Sequence, residues 1–101
     1  VCINNNKFQQ TGTNNQIMNT GELKSKWKSF GWETINLDGH NVEELCNYFQ
    51  TKDESTIMPK AIVANTVKGK GFSFSENNND WHHSILTRKI YEKALGELKL
   101  D

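Results

Sequence analysis

A continuous run of small and branched apolar residues, KAIVANTV at positions 60–67, constrains the fold of this chain more than any other feature. The run has the length of a strand and follows Pro59, the only proline in the sequence. A half-exposed strand alternates apolar and polar residues, whereas this run does not, so we expect a strand that is covered on both faces. Strands of this kind are typical of parallel sheets.

The rest of the chain alternates between strand and helix patterns. VCI at 1–3 is β-prone and runs into a polar loop that extends to about Met18, and WETINL at 32–37 ends in a turn at Asp38 and Gly39. The predicted order is strand, loop, helix, strand, helix, strand, loop, helix. This order indicates an α/β fold in which a parallel sheet is wound with helices.

Each predicted helix carries an apolar stripe at helical spacing. Gly31 can end the first helix, and Asn41 can cap the second, with Glu44 three residues on as in a capping box. The last helix is predicted over about 86–99. The stripes consist of Leu23, Trp27 and Phe30 in the first helix, Val42, Leu45, Cys46 and Phe49 in the second, and Leu86, Ile90, Ala94 and Leu98 in the third.

Composition argues against several classes of partner. The 12 basic and 12 acidic residues give a formal net charge of zero, so no large field favours nucleic acid or anionic lipid. No apolar run approaches the roughly 18 residues of a membrane span, and VCINNNKF lacks a signal core, which predicts a cytoplasmic location. Because the 101-residue chain starts inside a predicted strand, we expect an incomplete domain.

The two cysteines, Cys2 and Cys46, lie far apart in the sequence and lack CxxC spacing. This spacing gives poor support for a disulfide scaffold or a cysteine zinc site. We therefore expect both side chains to be buried as small hydrophobic groups.

The stretch TVKGKGFSFSENNNDWHH at 66–83 contains most of the residues whose side chains could bind a ligand or take part in catalysis. Gly69 and Gly71 allow the backbone to approach a ligand, and the neighbouring lysines suit a phosphate or diphosphate. Without a full P-loop pattern, these residues alone favour a tight turn with solvated lysines over a diphosphate site. His82 and His83 can act as acid, base or phosphate ligand, or form a polar surface pair.

The stretch NNNKF at 4–8 follows the first predicted strand, as the lysine loop follows the third. Asparagine and carbonyl oxygens suit magnesium or calcium, although asparagine at a strand end is also a common turn former. Ligands of wound parallel sheets bind beyond the carboxyl ends of strands. Both loops are therefore predicted to lie at one rim of the sheet.

Four blocks in this order resemble the N-terminal, thiamin diphosphate-binding region of transketolases: NNNKFQQTG, KWKSFGWETINLDGHNVEELCNYF, PKAIVANTVKGKGFSF and WHH. The resemblance is particularly to the N-terminal subunit of split bacterial transketolases and covers nearly all 101 residues. It implies that residues 1–101 are the C-terminal portion of the diphosphate-binding domain.

The resemblance also implies roles for individual residues. Asn6 would bind magnesium or calcium through its side chain, and Phe8 would contribute its backbone carbonyl to the same ion. Lys68 would contact the diphosphate of thiamin diphosphate. His82 would contact both the diphosphate and the reacting sugar, and is the implied catalytic residue.

The implied activity is transfer of a two-carbon ketol unit from a ketose phosphate to an aldose phosphate. The implied partners are sugar phosphates and the remaining transketolase domains or a C-terminal subunit, in an assembly that is a dimer. Because other parts of the site would come from that sequence, the isolated chain is expected to be inactive.

The chain departs from the family pattern at two positions. Asn4 stands where an aspartate is usual, and His83 stands where a glycine usually follows Trp-His. The family's Gly-Asp-Gly motif would lie before Val1. The alternatives are a noncatalytic remnant or interaction module of the same fold, another thiamin diphosphate enzyme such as deoxyxylulose phosphate synthase, and a nucleotide-binding α/β protein.

Overall fold

The computed structural model describes residues 1–51 and 57–98. The predicted end of the last helix, at residue 99, lies outside the described residues. A 3₁₀ helix spans Asn79–His82. The other elements are β1 (Cys2–Asn5), β2 (Phe8–Gln9), β3 (Gly12–Thr13), α1 (Asn14–Ile17), α2 (Leu23–Ser29), β4 (Glu33–Asp38), α3 (Val42–Gln50), β5 (Lys60–Asn65) and α4 (Arg88–Leu98).

The chain forms two compact units. The first, here called the sheet unit, consists of Val1–Asn6 and Asn19–Thr66. The second, here called the loop unit, consists of Lys7–Met18 and the chain from Val67 onward. The predicted strands and the first two predicted helices therefore lie in the sheet unit, and the lysine and histidine stretch lies in the loop unit.

The sheet unit contains a three-stranded parallel sheet in the order β1-β5-β4. The central strand, β5, is formed by the first six residues of the KAIVANTV run, and its residues Ala61 to Ala64 are all buried. Cys2 to Asn5 pair with Ile62 to Asn65 on one side, and β4 pairs with β5 on the other. The α/β fold with a parallel sheet is thereby confirmed.

One buried apolar cluster of the sheet unit lies between the sheet and α3. Leu37, Ile62 and Ala64 are buried together. Leu45 and Tyr48 of α3, three residues apart and therefore on one side of the helix, pack against this cluster. Burial of apolar surface at this contact is the main force that holds α3 to the sheet.

The predicted α3 stripe is correct only in part. Leu45 faces the core, but Val42 and Phe49 are 70% and 64% exposed. Cys46 is also exposed, because it follows Leu45 and is rotated about 100° from it around the helix. Cys2 is exposed as well. The prediction that both cysteines are buried is therefore wrong.

The ends of α2 and α3 follow from local hydrogen bonds. Gly31, at φ +81°, ends α2 as predicted. Asn41 caps α3 by accepting a hydrogen bond from the Glu44 amide at 3.0 Å. The Glu44 carboxylate accepts instead from the Asp38 amide at 3.2 Å, so it links the helix to β4. The predicted cap is confirmed. In a full capping box the Glu44 carboxylate would accept from the Asn41 amide, and here it accepts from Asp38 instead.

In the loop unit, the segment predicted as a loop contains regular structure. Phe8 of β2 pairs with Thr13 of β3 in a short antiparallel hairpin. The Gln16 side chain accepts hydrogen bonds from the Thr13 amide and hydroxyl at 3.1 and 2.9 Å, and these bonds fix the start of the four-residue α1. A two-residue strand is too short to produce a recognisable sequence period, so the pattern gave no signal.

The last predicted helix forms as α4, but it begins two residues later than expected. Leu86 precedes it and is 57% exposed, whereas Ile90 and Ala94 are half-buried, as expected of the stripe. Leu98 is 48% exposed. Among the described residues, no helix is long and apolar enough to cross a membrane.

Candidate functional site

The two loops that sequence patterns indicated leave the sheet unit from neighbouring strand ends. Asn5 ends β1 and lies opposite Asn65, which ends β5. The Asn5 side-chain amide donates a hydrogen bond to the Asn65 side-chain oxygen at 2.9 Å. The prediction that both loops start at one rim of the sheet is confirmed for these strand ends.

The two residues of the predicted metal site fall in different units. Asn6 directly follows β1 and is half-buried at the end of the sheet unit's first segment. Lys7 then adopts a left-handed conformation with φ +64°, and Phe8 begins β2 in the loop unit. Lys7, in a conformation that residues with side chains adopt infrequently, thus separates the two predicted oxygen donors.

No cluster of three or more His, Cys, Asp or Glu side chains that could hold a metal ion occurs within residues 1–51 and 57–98. A metal bound by this part of the chain would therefore need amide, backbone and ligand oxygens. Magnesium and calcium prefer such hard oxygen donors, and magnesium commonly binds through one or two protein groups together with substrate phosphates. The donor types of Asn6 and Phe8 fit a metal held mainly by a diphosphate.

The lysine loop is shaped by Gly69 and Ser75. Gly69 has φ +69°, and a Cβ at this position would lie 2.3 Å from the Ser75 carbonyl oxygen. The Ser75 hydroxyl is buried and lies 2.8 Å from the Gly69 carbonyl oxygen, so it can donate a hydrogen bond back across the loop. Sequence patterns pointed to Gly69 but not to Ser75, because a single serine in a polar stretch has no distinguishing spacing.

The two lysines of the loop have different surroundings. Lys70 lies 3.8 Å from the Glu76 carboxylate, which also accepts a hydrogen bond from the Gly71 amide at 3.1 Å. Lys68 is half-buried and forms no ion pair within the described residues. Its carbonyl accepts a hydrogen bond from the Asn77 amide at 2.9 Å, which fixes its backbone. Lys68 is therefore the better placed of the two lysines to bind an anion.

The histidine segment is held by its aromatic neighbour. Trp81 packs on Phe74 with ring centroids 4.9 Å apart. The Asn78 side chain caps the 3₁₀ helix by accepting from the Asp80 amide at 3.0 Å. His82 is exposed at the end of this helix, available to solvent and to a ligand.

His83 joins the histidine segment to the β2–β3 hairpin. Its Nε2 lies 3.5 Å from the Gln10 side-chain nitrogen, and its ring meets the ring of His82 edge-on at 4.6 Å. The Asn79 side-chain amide donates to the Gln10 carbonyl at 3.2 Å. The hairpin that begins with Phe8 is thus attached to the segment that carries His82, through His83 and through Gln10 and Asn79, which sequence patterns did not single out.

One polar atom in this cluster is unusual. The Asn79 side-chain oxygen is buried and has no hydrogen-bond partner among the described residues. Buried polar groups are normally paired, so this oxygen can accept a further hydrogen bond without losing an existing one.

Comparison with known proteins identifies relatives over nearly the whole chain. Residues 1–97 match the family described as transketolase, thiamine diphosphate binding domain. A subunit of the apulose-4-phosphate transketolase of Phocaeicola vulgatus is 31% identical over 97% of this chain and 35% of its own length. The 6-deoxy-6-sulfo-D-fructose transketolase subunit of a Clostridium species is 36% identical over 95% of this chain and 35% of its own length.

A longer relative aligns over less of the chain. Mouse transketolase is 40% identical over 74% of this chain, which corresponds to 12% of the mouse protein. The chain thus spans about a third of the length of these two transketolase subunits and a smaller fraction of the mouse enzyme.

Proposed function

Because this chain belongs to the transketolase family, in its thiamin diphosphate-binding domain, we propose that it is part of an enzyme that transfers a two-carbon ketol unit between sugars. The donor would be a ketose phosphate and the acceptor an aldose phosphate. The family match over residues 1–97 carries this proposal. When bound, thiamin diphosphate supplies the electron sink that the carbon-carbon bond cleavage requires.

Lys68 is proposed to bind the diphosphate of the cofactor. The support is its lack of an ion pair within the described residues and a backbone fixed by the hydrogen bond from Asn77 to its carbonyl. An ammonium group on a fixed backbone loses less conformational entropy on binding an anion than one on a mobile loop. Lys70 is already compensated by Glu76 at 3.8 Å and is not part of this proposal.

His82 is proposed to contact the diphosphate and the reacting sugar, and to hold or move a proton there. Its exposed position at the end of the 3₁₀ helix supports this role, because an imidazole must reach the ligand to act as acid or base. The packing of Trp81 on Phe74 at 4.9 Å stabilises the segment before His82. His83, the bulky residue at the position of the usual glycine, contacts the His82 ring edge-on at 4.6 Å.

Asn6 and Phe8 are proposed to hold a magnesium ion, or calcium in its place, through the Asn6 side-chain oxygen and the Phe8 carbonyl. The support is the chemistry of these donors, which are neutral and hard. Neutral protein ligands suit an ion whose charge is balanced by the cofactor's diphosphate.

The rest of the enzyme is proposed to come from other sequence. The chain spans 35% of two relatives that are themselves named as transketolase subunits. We propose that residues 1–101 are the C-terminal portion of the diphosphate-binding domain, and that they act with the remaining domains or a partner chain in a dimeric assembly. The isolated 101-residue chain is expected to be inactive.

The proposal is tested by a transfer assay on the complete assembly. Ketose phosphate donors and aldose phosphate acceptors are supplied with thiamin diphosphate and Mg²⁺, and the two sugar products are quantified. Transfer that disappears when either the cofactor or the metal is omitted supports the proposal. Cofactor binding without transfer across a broad donor and acceptor panel, including a 6-sulfo ketose, would contradict the proposed reaction.

A further inference from the structure

Two side-chain hydrogen bonds join β1 to the end of β5 at the rim of the sheet unit. The Thr66 hydroxyl donates a hydrogen bond to the Asn4 side-chain oxygen at 2.5 Å. The Asn5 side-chain amide donates a hydrogen bond to the Asn65 side-chain oxygen at 2.9 Å. Successive residues of a strand point to opposite faces of the sheet. The two bonds therefore leave β1 on opposite faces and fasten its carboxyl end to β5 from both sides.

The third strand of the sheet also holds Thr66 in place. Gly39 follows β4, and its amide donates to the Asn65 carbonyl at 2.8 Å. A Cβ on Gly39 would lie 2.4 Å from the Thr66 methyl group, so the methyl occupies the space left by the missing side chain. The Thr66 amide donates in turn to the Asn5 carbonyl at 3.3 Å. The Thr66 side chain is thus fixed between the ends of β1 and β4.

These contacts lie where the two predicted cofactor-binding segments begin. Asn6 is two residues after Asn4, and Lys68 is two residues after Thr66. Only two residues separate each member of this pair from a predicted ligand, so a change in the spacing of Asn4 and Thr66 alters where the two ligand-bearing segments leave the sheet unit. Neither Asn4 nor Thr66 belongs to the apolar core of the sheet unit. The stability of the core therefore gives little reason for this pair of residues.

We propose that Asn4 and Thr66 are positioning residues, whose hydrogen bond sets the start of the metal-binding segment relative to the start of the diphosphate-binding segment. This inference rests on the proposed function. The proposal also gives Asn4, which stands where an aspartate is usual, a role. Its side-chain oxygen accepts the hydrogen bond from the Thr66 hydroxyl as a carboxylate oxygen would. The Asn5–Asn65 bond supports the same rim from the opposite face.

The test measures the dissociation constant of thiamin diphosphate at saturating Mg²⁺, and the concentration of Mg²⁺ needed for half-maximal binding, in the complete assembly. Asn4→Leu and Thr66→Val each remove one partner while keeping a similar volume. Each variant is expected to weaken cofactor binding about 5- to 10-fold, as loss of one hydrogen bond allows. The double variant is expected to bind no more weakly than either single variant, because both remove the same bond.

Conservative variants separate positioning from general destabilisation. Asn4→Asp keeps the acceptor oxygen and should bind the cofactor nearly as tightly as the unmodified protein. Thr66→Ser keeps the hydroxyl but loses the methyl group beside Gly39, so it should bind more tightly than Thr66→Val. Asn36→Leu is the matched control, since Asn36 is an exposed asparagine of β4 with no side-chain hydrogen bond to a described residue. It should leave both binding constants unchanged.

Several results would overturn the inference. Lowered melting temperatures with unchanged binding constants in Asn4→Leu and Thr66→Val would assign the pair to stability only. Additive losses in the double variant would show that the two residues act separately. Failure of the unmodified assembly to bind thiamin diphosphate would overturn the proposed function itself. This outcome differs from failure of the positioning inference, because it is seen in the unmodified protein.

Discussion

Gly69 and Ser75 approach each other so closely that no side chain fits at position 69. A Cβ there would lie 2.3 Å from the Ser75 carbonyl oxygen, and the φ of +69° is one that residues with side chains rarely adopt. The Ser75 hydroxyl, 2.8 Å from the Gly69 carbonyl oxygen, closes the same contact. The shape of the lysine loop therefore depends on a glycine at this position.

Gly69→Ala is expected to open the lysine loop and weaken cofactor binding at least 10-fold, because both the positive φ and the contact with Ser75 penalise a methyl group. Titration calorimetry with thiamin diphosphate and thermal melting measure the two effects. Gly96→Ala is the matched control, since a Cβ there would meet nothing within 4 Å in helix α4. It should stabilise the protein by about 0.5–1 kcal/mol. Unchanged cofactor affinity in Gly69→Ala would contradict the assigned role of the loop.

Lys68→Ala is expected mainly to raise the dissociation constant of thiamin diphosphate, because it removes a positive charge from the proposed diphosphate contact. The rate at saturating cofactor should change less. Lys70→Ala removes the same charge from a lysine that lies 3.8 Å from Glu76, and should have little effect. Equal affinities for the unmodified protein and Lys68→Ala would mean that Lys68 is simply solvated.

His82→Ala is expected to lower turnover by a factor on the order of 100 or more, if the imidazole moves a proton or stabilises charge in the transfer. Steady-state rates on the complete assembly measure this loss, with cofactor held at saturation. His40→Ala is the control, because His40 lies in the turn after β4, where its amide bonds to the Asp38 carboxylate. Turnover that survives His82→Ala would remove this residue from the catalytic site.

Glu97 is expected to make the stability of the protein depend on pH in the acid range. The Ser73 hydroxyl and amide donate to its carboxylate at 2.5 and 2.7 Å, and these bonds hold the pKa of Glu97 below its ordinary value. A lowered pKa in the folded state means that the carboxylate stabilises the fold above the unfolded value of about 4.3, and that this contribution disappears as the pH falls through the folded pKa.

Thermal melting between about pH 3 and pH 7 tests this expectation, because a glutamate titrates within this range. Glu97→Gln should melt below the unmodified protein at neutral pH, and the two curves should converge at the acid end. Glu92→Gln, which changes an exposed carboxylate paired with Arg88 on the same helix, is the control. A constant difference between the Glu97→Gln and unmodified curves across the range would contradict the linkage.

The sheet could be predicted because its evidence was local and redundant. The apolar run of β5 predicted burial on both faces. Gly31 marked the end of α2, and Asn41 marked the start of α3. The rim also followed, since the carboxyl ends of adjacent parallel strands such as β1 and β5 must meet.

Details set by tertiary contacts could not be predicted. Helical spacing identifies several apolar residues on α3 but not which of them the sheet will cover, so Tyr48 was missed and Phe49 was included. Strands of two residues, such as β2, have no measurable period. The contacts of Gln10 with His83 and of Asn4 with Thr66 join residues more than 60 positions apart, which one sequence does not reveal.

The central claim is that this chain forms part of a diphosphate-binding site, and calorimetric titration with thiamin diphosphate tests it most directly. The complete assembly is titrated in the presence of Mg²⁺ and again after the metal is removed by chelation. We predict saturable binding at one cofactor per copy of this chain, lost without the metal. Absence of saturable binding in the presence of Mg²⁺ would contradict the claim and favour a noncatalytic member of the family.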